Sequence, residues 1–574
     1  MSKELNHSAA HLLGMAVKNI FPTAKLGNGI GDEDSFYYDV DFATPIKNED
    51  LQKLEGEMKR LIKSNLPIIC RVEKTKTEAK KLFEKSGEIY KTDLIPDMTI
   101  DDKVMFVKIG DFLDLCVGGH VNYTTKIKAF KLTKIAGAYW RGDAENKMLT
   151  RIYGVAFSNK AELDEYEAKQ EEIRRRDHNR IGRELDLFTT VDIVGQGLPH
   201  MMPKGSKILQ VLQRFVEDEE ERRGYQHVKT PLIAKKELYE LSGHWQMYKD
   251  GMFVIGNELF DEEVFALSPM TCPFHFFIYK NSIRSYRDLP IRYGETRLLF
   301  RNENSGEMHG LTRMRQFTLS EGHIIARYDQ IQQVIDECLD LTNFLMKKIG
   351  IQDKVSYRLS KWDPKNKKKY MGKASTWEQS QDELRKVLQR HELQFVEADG
   401  DAAFYGPKID IQATNVHGKE DTIITIQLDF ALAERYDMTY IDENGDKQRP
   451  VIIHRSSIGC YERTLAMLIE HYAGAFPVWL APTQAVIMGI SNKQDDYVED
   501  VYKKLMYSGI RIERDIRAEK VGKKIREHTL SKVPYLIIVG EQEVEKGNIS
   551  VRTREGEDKG SMSIEEFIRL IKDN

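Results

Sequence analysis

Two short runs of this chain each lead into a histidine, and together they constrain what it can fold into. Gln316-Phe317-Thr318-Leu319 is a partly alternating run followed by His323, and the β-branched run Val451-Ile452-Ile453 ends at His454. Both read as strands that place one polar side chain at their far end. A third donor, Cys272, lies in Ser268-Pro269-Met270-Thr271-Cys272-Pro273-Phe274-His275. Two prolines there restrict the backbone around a thiol that a metal would hold as thiolate. Three N/S ligands with a fourth position open is the arrangement of a catalytic zinc, whereas structural zinc sites close with four. The separations are too long for any ligand-spacing rule. Taken singly, each residue reads more simply as a buried thiol or a satisfied core histidine.

The 574 residues are enough for several domains, and 41% hydrophobic content supports ordinary cores. The longest apolar stretches, such as 474–481, are far shorter than a membrane span, and residues 1–12 have no basic segment followed by an apolar core. Neither a membrane anchor nor a secretory signal is expected. Five dispersed cysteines, Cys70, Cys116, Cys272, Cys338 and Cys460, are odd in number and speak against a disulfide framework. A reducing, cytoplasmic location is expected. The net charge of -4, from 86 basic and 90 acidic residues, does not announce nucleic-acid binding but leaves room for local basic faces. The acidic run Glu217-Asp218-Glu219-Glu220-Glu221 reads as a solvated helix face.

Four regions separate along the chain. Residues 1–155 mix helical and strand-like runs. Residues 156–187 include a charge-dense stretch from Ala161 to Leu187 that reads as one connecting helix, its polar face turned to solvent. In 188–478, Ile331, Val334, Ile335, Cys338, Leu339 and Leu345 recur at helical spacing, while Val355, Tyr357 and Leu359 alternate as in a strand. That mixture fits an antiparallel sheet flanked by helices. In 479–574, strands at 485–488, 510–513, 535–539 and 549–551 alternate with helices near 498–506 and 521–530, which predicts a small α/β domain with a mixed or largely parallel sheet. The chain is therefore an α+β multidomain protein ending in an α/β domain.

Further motifs bear on chemistry. Phe300-Arg301-Asn302-Glu303, followed by Met308 to Phe317 with Arg313 inside it, resembles the second signature of class II aminoacyl-tRNA synthetases. There an arginine grips the ATP α-phosphate as a planar fork. Gly459-Cys460-Tyr461-Glu462-Arg463 resembles the third signature, and Gly224 to Pro231 the first, whose proline lies at a dimer interface in that class. Leu241 to Phe253 and Phe404-Tyr405-Gly406-Pro407-Lys408-Ile409-Asp410 resemble segments of threonyl-tRNA synthetases more closely than those of prolyl or seryl relatives.

That resemblance implies a class II antiparallel-sheet core in 188–478, with one Zn²⁺ per subunit on Cys272, His323 and His454. Threonine would join the metal through its amino group and hydroxyl, which valine cannot do. Arg301, Arg313 and Arg463 would meet ATP and its Mg²⁺, Glu303 the adenine or reacting groups, and Tyr405, Lys408 and Gln427 the active-site wall. The last domain resembles the anticodon-binding domain of the threonine, proline, histidine and glycine enzymes, with Glu543 and Arg552 as anticodon readers. The partners implied are tRNA(Thr), ATP, L-threonine and a second copy of the chain.

Serine carries both metal-binding groups of threonine and lacks one methyl, a difference worth only about 10- to 200-fold, so a second, hydrolytic site is expected. His7-Ser8-Ala9-Ala10-His11 places two histidines on one helix face, although alone it reads as a helix with exposed histidines. With Cys116-Val117-Gly118-Gly119-His120, Tyr38, Lys91 and Asp114, it resembles the editing domain shared by threonyl- and alanyl-tRNA synthetases. By that resemblance His7, His11, Cys116 and His120 position and activate a water without need of a metal, and Lys91, Tyr38 and Asp114 contact the ester end of seryl-tRNA.

The chain departs from the family in three ways. Leu319-Ser320-Glu321-Gly322-His323 stands where many members read Gln-Asp-Asp-Ala-His, so Glu321 keeps a carboxylate for the substrate ammonium while Leu319 forfeits an amide. Val117-Gly118-Gly119 replaces Arg-Gly-Pro. The chain also starts at the editing motif, as a form lacking the ubiquitin-like domain that precedes it in many bacterial relatives. The competing reading is a synthetase-derived RNA-binding or regulatory protein without aminoacylation, which loss of a motif arginine or a ligand would have favoured.

Overall fold

The computed structural model describes residues 3–573, which fall into two compact units divided between Glu172 and Ile173. The first begins with α1 (Lys3–Ile20), whose apolar positions Leu5, Ala9, Leu12, Leu13, Ala16 and Val17 are all buried. It packs on the antiparallel strands β1 (Lys25–Gly31) and β2 (Phe36–Asp41), and α2 (Asn48–Lys63) adds Leu51, Leu54, Met58 and Leu61 to the same core. Next come β3 (Ile68–Thr75), the short helix α3 (Ile89–Leu94), β4 (Lys103–Ile109), β5 (Phe112–Leu115), β6 (Ala129–Tyr139) and β7 (Met148–Phe157). One sheet has the order β1-β2-β7-β6, and in another β4 pairs with both β3 and β5. All these pairings are antiparallel.

The charge-dense segment is two helices rather than one: α4 (Lys160–Arg176) and α5 (His178–Glu184). The break falls at Asp177, whose side chain accepts from the Arg180 amide and starts a new helix. No residue of α4 is buried, as its composition predicts.

The second unit is built on an eight-stranded sheet. Its elements in chain order are α6 (Pro203–Arg222), β8 (Gln226–His227), α7 (Cys272–Lys280), β9 (Ile291–Phe300), β10 (Gln316–Ala326), α8 (Ile331–Lys348), β11 (Val355–Lys361), β12 (Phe395–Asp399), β13 (Lys408–Thr414), β14 (Glu420–Asp429), β15 (Val451–Cys460) and α9 (Tyr461–Tyr472). Strand order is β8-β9-β10-β15-β14-β13-β11-β12, antiparallel except at the two edge pairs β8/β9 and β11/β12. One face, through Ile324, Ile453, Leu428 and Ile409, packs against the apolar stripe of α8. The opposite face carries the polar residues of the site.

The acidic run in α6 is not wholly solvated. Glu220 is 1% exposed because its carboxylate is turned under the sheet, where it accepts from Arg455 Nη1 at 2.6 Å. An unpaired carboxylate could not remain there, and the guanidinium is what makes the position tolerable.

The last part of this unit comprises β16 (Ala485–Gly489), α10 (Asp495–Tyr507), β17 (Ile512–Asp515), α11 (Val521–Leu530), β18 (Tyr535–Val539), α12 (Glu541–Lys546), β19 (Ile549–Thr553), β20 (Asp558–Met562) and α13 (Ile564–Asp573). Its sheet runs β17-β16-β18-β19-β20, with the first three strands parallel and the last two antiparallel. The sheet is mixed, as expected. Strand β17 starts two residues later than the apolar pattern suggests, since Ile510 is buried ahead of the first ladder partner. Among the described residues no helix is long and apolar enough to cross a membrane.

Candidate functional sites in the two units

In the second unit the register of the sheet gathers the site. Tyr293 pairs with His323, His323 with His454, His454 with Gln427 and Gln427 with Lys408. These five residues form one row across adjacent strands, and because side chains alternate along a strand, one face receives all of them. The thiol of Cys272 comes from the first turn of α7, so that Cys272, His323 and His454 offer donor atoms within 4.8 Å of one another. They are 4%, 0% and 5% exposed.

Hydrogen bonds fix which nitrogen each imidazole presents. His454 Nε2 lies 2.9 Å from Asp429 Oδ2, and that carboxylate also accepts from the amides of Ala431 and Leu432. His454 therefore donates from Nε2 and leaves Nδ1 bare. His323 Nδ1 lies 2.9 Å from His275 Nδ1, while His323 Nε2 is buried with no hydrogen-bond partner. A buried, unpartnered acceptor is costly in an empty protein and natural in a ligand. Burial, followed by neighbouring His454, His275 and Arg455, holds the His323 imidazole well below its ordinary value, so it is neutral as a ligand must be. Burial and the carboxylates of Glu321 and Asp429 push the Cys272 thiol up, so a thiolate there calls for a cation. The donor set thus fits a divalent zinc with an open position.

That position faces a cavity of about 460 Å³ lined by Cys272, Arg301, Glu303, Arg313, Glu321, Tyr405, Gln427, His454 and Arg463, among others. Tyr405 stacks on His454 with ring centroids 4.9 Å apart and donates its hydroxyl proton to Gln427 Oε1. Glu321 leaves Oε2 buried and unpartnered. Arg301 lies over the Phe317 ring and also has an unpartnered Nε. Arg463 is braced by two of its nitrogens on the carbonyls of Thr312 and Thr422. Arg313 is paired with Glu303 at 2.8 Å and Glu307 at 3.0 Å. One expected wall residue departs from this picture: the Lys408 ammonium is held by both oxygens of Asp410 at 2.7 and 2.8 Å, and Lys408 does not line the cavity.

In the first unit, α1 and the segment after β5 bring His7, His11, Cys116 and His120 together, with donor atoms within 4.8 Å. His11 is 1% exposed, not the solvent-facing histidine that its spacing alone suggests. Its Nδ1 donates to Asp114 Oδ2 at 2.7 Å. The same carboxylate accepts from the Tyr38 hydroxyl at 2.5 Å and pairs with Lys91. Burial opposes the charge of Asp114, but Lys91 and His11 hold its carboxyl well below the usual range. Around the quartet, Cys116 Sγ lies 3.0 Å from His120 Nε2 and 3.4 Å from His7 Nε2, and His7 Nε2 lies 3.3 Å from His11 Nε2. Burial, then the charge of His11, lowers His7 to about 4. Burial, then His11 and His7, lowers His120 to about 3, and burial raises the Cys116 thiol to about 11. His7, His120 and Cys116 are therefore neutral at physiological pH. Gly118 meets a specific need, because a Cβ there would lie 2.3 Å from the His7 ring.

In the last domain Glu543 does not project freely. Its carboxylate accepts from the Gly540 amide at 2.8 Å and from Ser550 Oγ at 2.9 Å, which starts α12 and ties it to β19. Arg552, two residues beyond Ser550 on the same strand face, is exposed.

Sequence reasoning named the three central donors but assigned no role to His275, Glu295, Asp429 or Ser8. Asp429 follows Gln427 at the period of a strand face, a usable signal. Ser8 lies between His7 and His11, where its hydroxyl donates to the Glu4 carbonyl and so can only accept from His120 Nδ1, 3.3 Å away.

Three family models match: the class II tRNA synthetase core domain of the glycine, histidine, proline, serine and threonine enzymes over residues 256–472, an anticodon-binding domain over 484–574, and the second additional domain of threonyl- and alanyl-tRNA synthetases over 104–153. Threonine–tRNA ligase from Clostridium botulinum (strain Alaska E43 / Type E3) is 57% identical over 99% of this chain and 88% of its own length. The enzyme of the same name from Clostridium perfringens (strain 13 / Type A) is 54% identical over the same shares. Among solved structures, the RNA-binding domain of threonyl-tRNA synthetase from Cryptosporidium parvum Iowa II superposes with a TM-score of 0.66 at 33% identity, covering 69% of this chain and 98% of that one.

Proposed function

Because the chain belongs to the threonyl-tRNA synthetase family, and so activates L-threonine with ATP, transfers it to tRNA and carries the family's editing domain, we propose a role for each residue of its two sites. Cys272, His323 and His454 hold one Zn²⁺. The observation that carries this assignment is the buried, unpartnered His323 Nε2 on a residue whose donor atom lies within 4.8 Å of those of Cys272 and His454. Bound there, zinc offers open coordination to an amino group and a neighbouring hydroxyl together, a chemical filter that valine fails. Glu321 receives the ammonium, and Tyr405 and Gln427 close the wall around the side chain.

The threonine carboxylate attacks the ATP α-phosphorus in line and pyrophosphate leaves. Arg301 spreads its fork on the α-phosphate and Arg463, already fixed in plane by two carbonyls, meets the distal phosphates. ATP enters as its Mg²⁺ complex. Arg313 exchanges Glu303 and Glu307 for phosphate, which frees Glu303 for the adenine. Transfer to the terminal adenosine of tRNA then needs no covalent enzyme intermediate.

In the first unit, water attacks the seryl ester, and an imidazole nitrogen of the quartet accepts its proton. His11 is fixed for this by Asp114, which accepts the Nδ1–H hydrogen bond and so turns Nε2 toward the other members of the quartet. Hydrolysis there is metal-free: each of the four donors already pairs with another, in contrast to the orphaned His323 Nε2. Lys91 and Tyr38 anchor Asp114 and border the ester. Arg552 reads an anticodon base edge, with Glu543 as a fixed acceptor beside it. A second copy of the chain covers the segment from Gly224 to Pro231, which contains the edge strand β8 and is followed by exposed Leu232 and Ile233. The boundaries of the working domains are 155/156, 187/188 and 478/479, and the protein works in the cytoplasm.

The test is tRNA charging with threonine, serine and valine by the wild type and His11→Ala. Threonine charging by both, with seryl-tRNA accumulating only in the variant, supports both site assignments. Valine charging by the wild type would remove the zinc filter, and equal seryl-tRNA in the two proteins would remove the editing assignment.

A further inference from the structure

His323 touches an imidazole that lies outside the proposed metal site. His275, on α7 one turn past Cys272, is fully buried, with Nδ1 2.9 Å from His323 Nδ1 and Nε2 3.2 Å from Glu295 Oε2. Glu295 is tied down in turn: its Oε1 accepts from the Thr230 amide at 2.7 Å and its Oε2 from the Thr230 hydroxyl at 2.8 Å. Arg297 Nη1 stands 3.9 Å away.

The hydrogens in this chain can be placed by elimination. Glu295 is surrounded by donors and is an acceptor. His275 Nε2 must then carry a proton to give to it. In the tautomer with that one proton, His275 Nδ1 is then an acceptor. The 2.9 Å contact between two ring nitrogens needs one donor, and only His323 Nδ1 remains. His323 is thereby left with its second nitrogen, Nε2, bare, and Nε2 is the buried atom without a partner.

We propose that His275 and Glu295 are positioning residues of the metal centre: they set the tautomer and ring orientation of His323, so that zinc affinity depends on an imidazole that never meets the metal. The proposal rests on the reading of Cys272, His323 and His454 as the zinc ligands. Outer partners of this kind are worth about 10- to 100-fold in metal affinity. His454 has the direct form, with Asp429 as its acceptor, while His323 has a relay of one extra ring because its Nδ1 meets His275 rather than a carboxylate. The relay ends at Thr230, inside the segment assigned to the contact with a second copy, so the metal centre and that segment share one hydrogen-bonded chain.

The experiment measures zinc affinity of the full chain by competition with a chromogenic chelator, and the visible spectrum after replacement by cobalt(II). The variants are His275→Leu, which fills the space without an acceptor, and His275→Gln, whose carbonyl can accept from His323 while its amide donates to Glu295. Expected is about 10- to 100-fold weaker zinc and an altered cobalt spectrum for His275→Leu, with His275→Gln within about threefold of wild type. Equal affinities for all three proteins overturn the relay, as does equal loss in both variants. Cys272→Ser separates the two levels. If it binds zinc as the wild type does, the ligand assignment fails and the relay falls with it; if it alone loses zinc, the relay fails and the ligands stand.

Discussion

Arg455 and Glu220 are ion-paired at 2.6 Å between β15 and α6, with side chains 1% and 2% exposed. Ser457 also joins Glu220, and the guanidinium lies 4.0 Å from the Tyr225 ring centroid. Breaking such a pair from one side leaves a buried charge. Arg455→Leu should therefore destabilise the second unit by about 3–5 kcal/mol, while a double replacement by apolar residues of similar volume should recover most of that loss. Urea unfolding of the two variants checks it, and equal losses would contradict it.

Acid should weaken the first unit in a defined window. His7 and His120 sit at about 4 and about 3 in the fold against 6.5 unfolded, so the unfolded chain takes up protons first as pH falls. Stability from these groups is fully present above about pH 6.5 and is lost as pH drops toward the folded values. Scanning calorimetry of the full chain should place the onset there, with a shallower decline in the His7→Gln/His120→Gln variant. A decline of unchanged steepness in that variant would assign it to other groups.

Gly118→Ala should silence editing alone. The added methyl meets the His7 ring at 2.3 Å and pushes it out of the quartet. Displacement by about 1 Å can cost about 10²-fold in rate. Deacylation of preformed seryl-tRNA should fall by that order while threonine charging stays unchanged, and normal deacylation would mean the ring is not needed where it lies.

Chelation should divide the activities. Removal of zinc should abolish threonine-dependent pyrophosphate exchange and leave hydrolysis of preformed seryl-tRNA intact, since the first site has no orphaned donor. Loss of both on chelation, with both restored by zinc, would place a metal in the first unit as well.

Much of this arrangement was legible in the sequence. The runs before His323 and at His454 mark two strands, although each strand continues past its histidine, and the spacing from Ile331 to Leu345 marks a helix; that the strands are neighbours is a fact of the sheet. What the sequence could not give were facts of register and partnership. Nothing local pairs His275 with Glu295, or turns Glu220 from an acidic run into the core, because both depend on which strand or helix arrives opposite. Lys408 shows the converse: it keeps its place in the row, yet Asp410, two residues on and on the same face, takes its ammonium. Asp177 could have been read as a cap, and within so continuous a run of charge that signal was masked.

The row from Tyr293 through His323, His454 and Gln427 also has a bearing on how the proposed zinc site would be filled. A slip of one residue between β10 and β15 would turn His454 into the apolar layer and present Ile453 or Arg455 in its place. No short stretch of chain holds two of the three donors, so Cys272, His323 and His454 come together only once α7, β10 and β15 are in place. Filling of the proposed site would then be an inspection carried out after assembly, one that a correctly ordered sheet passes and a misthreaded one fails.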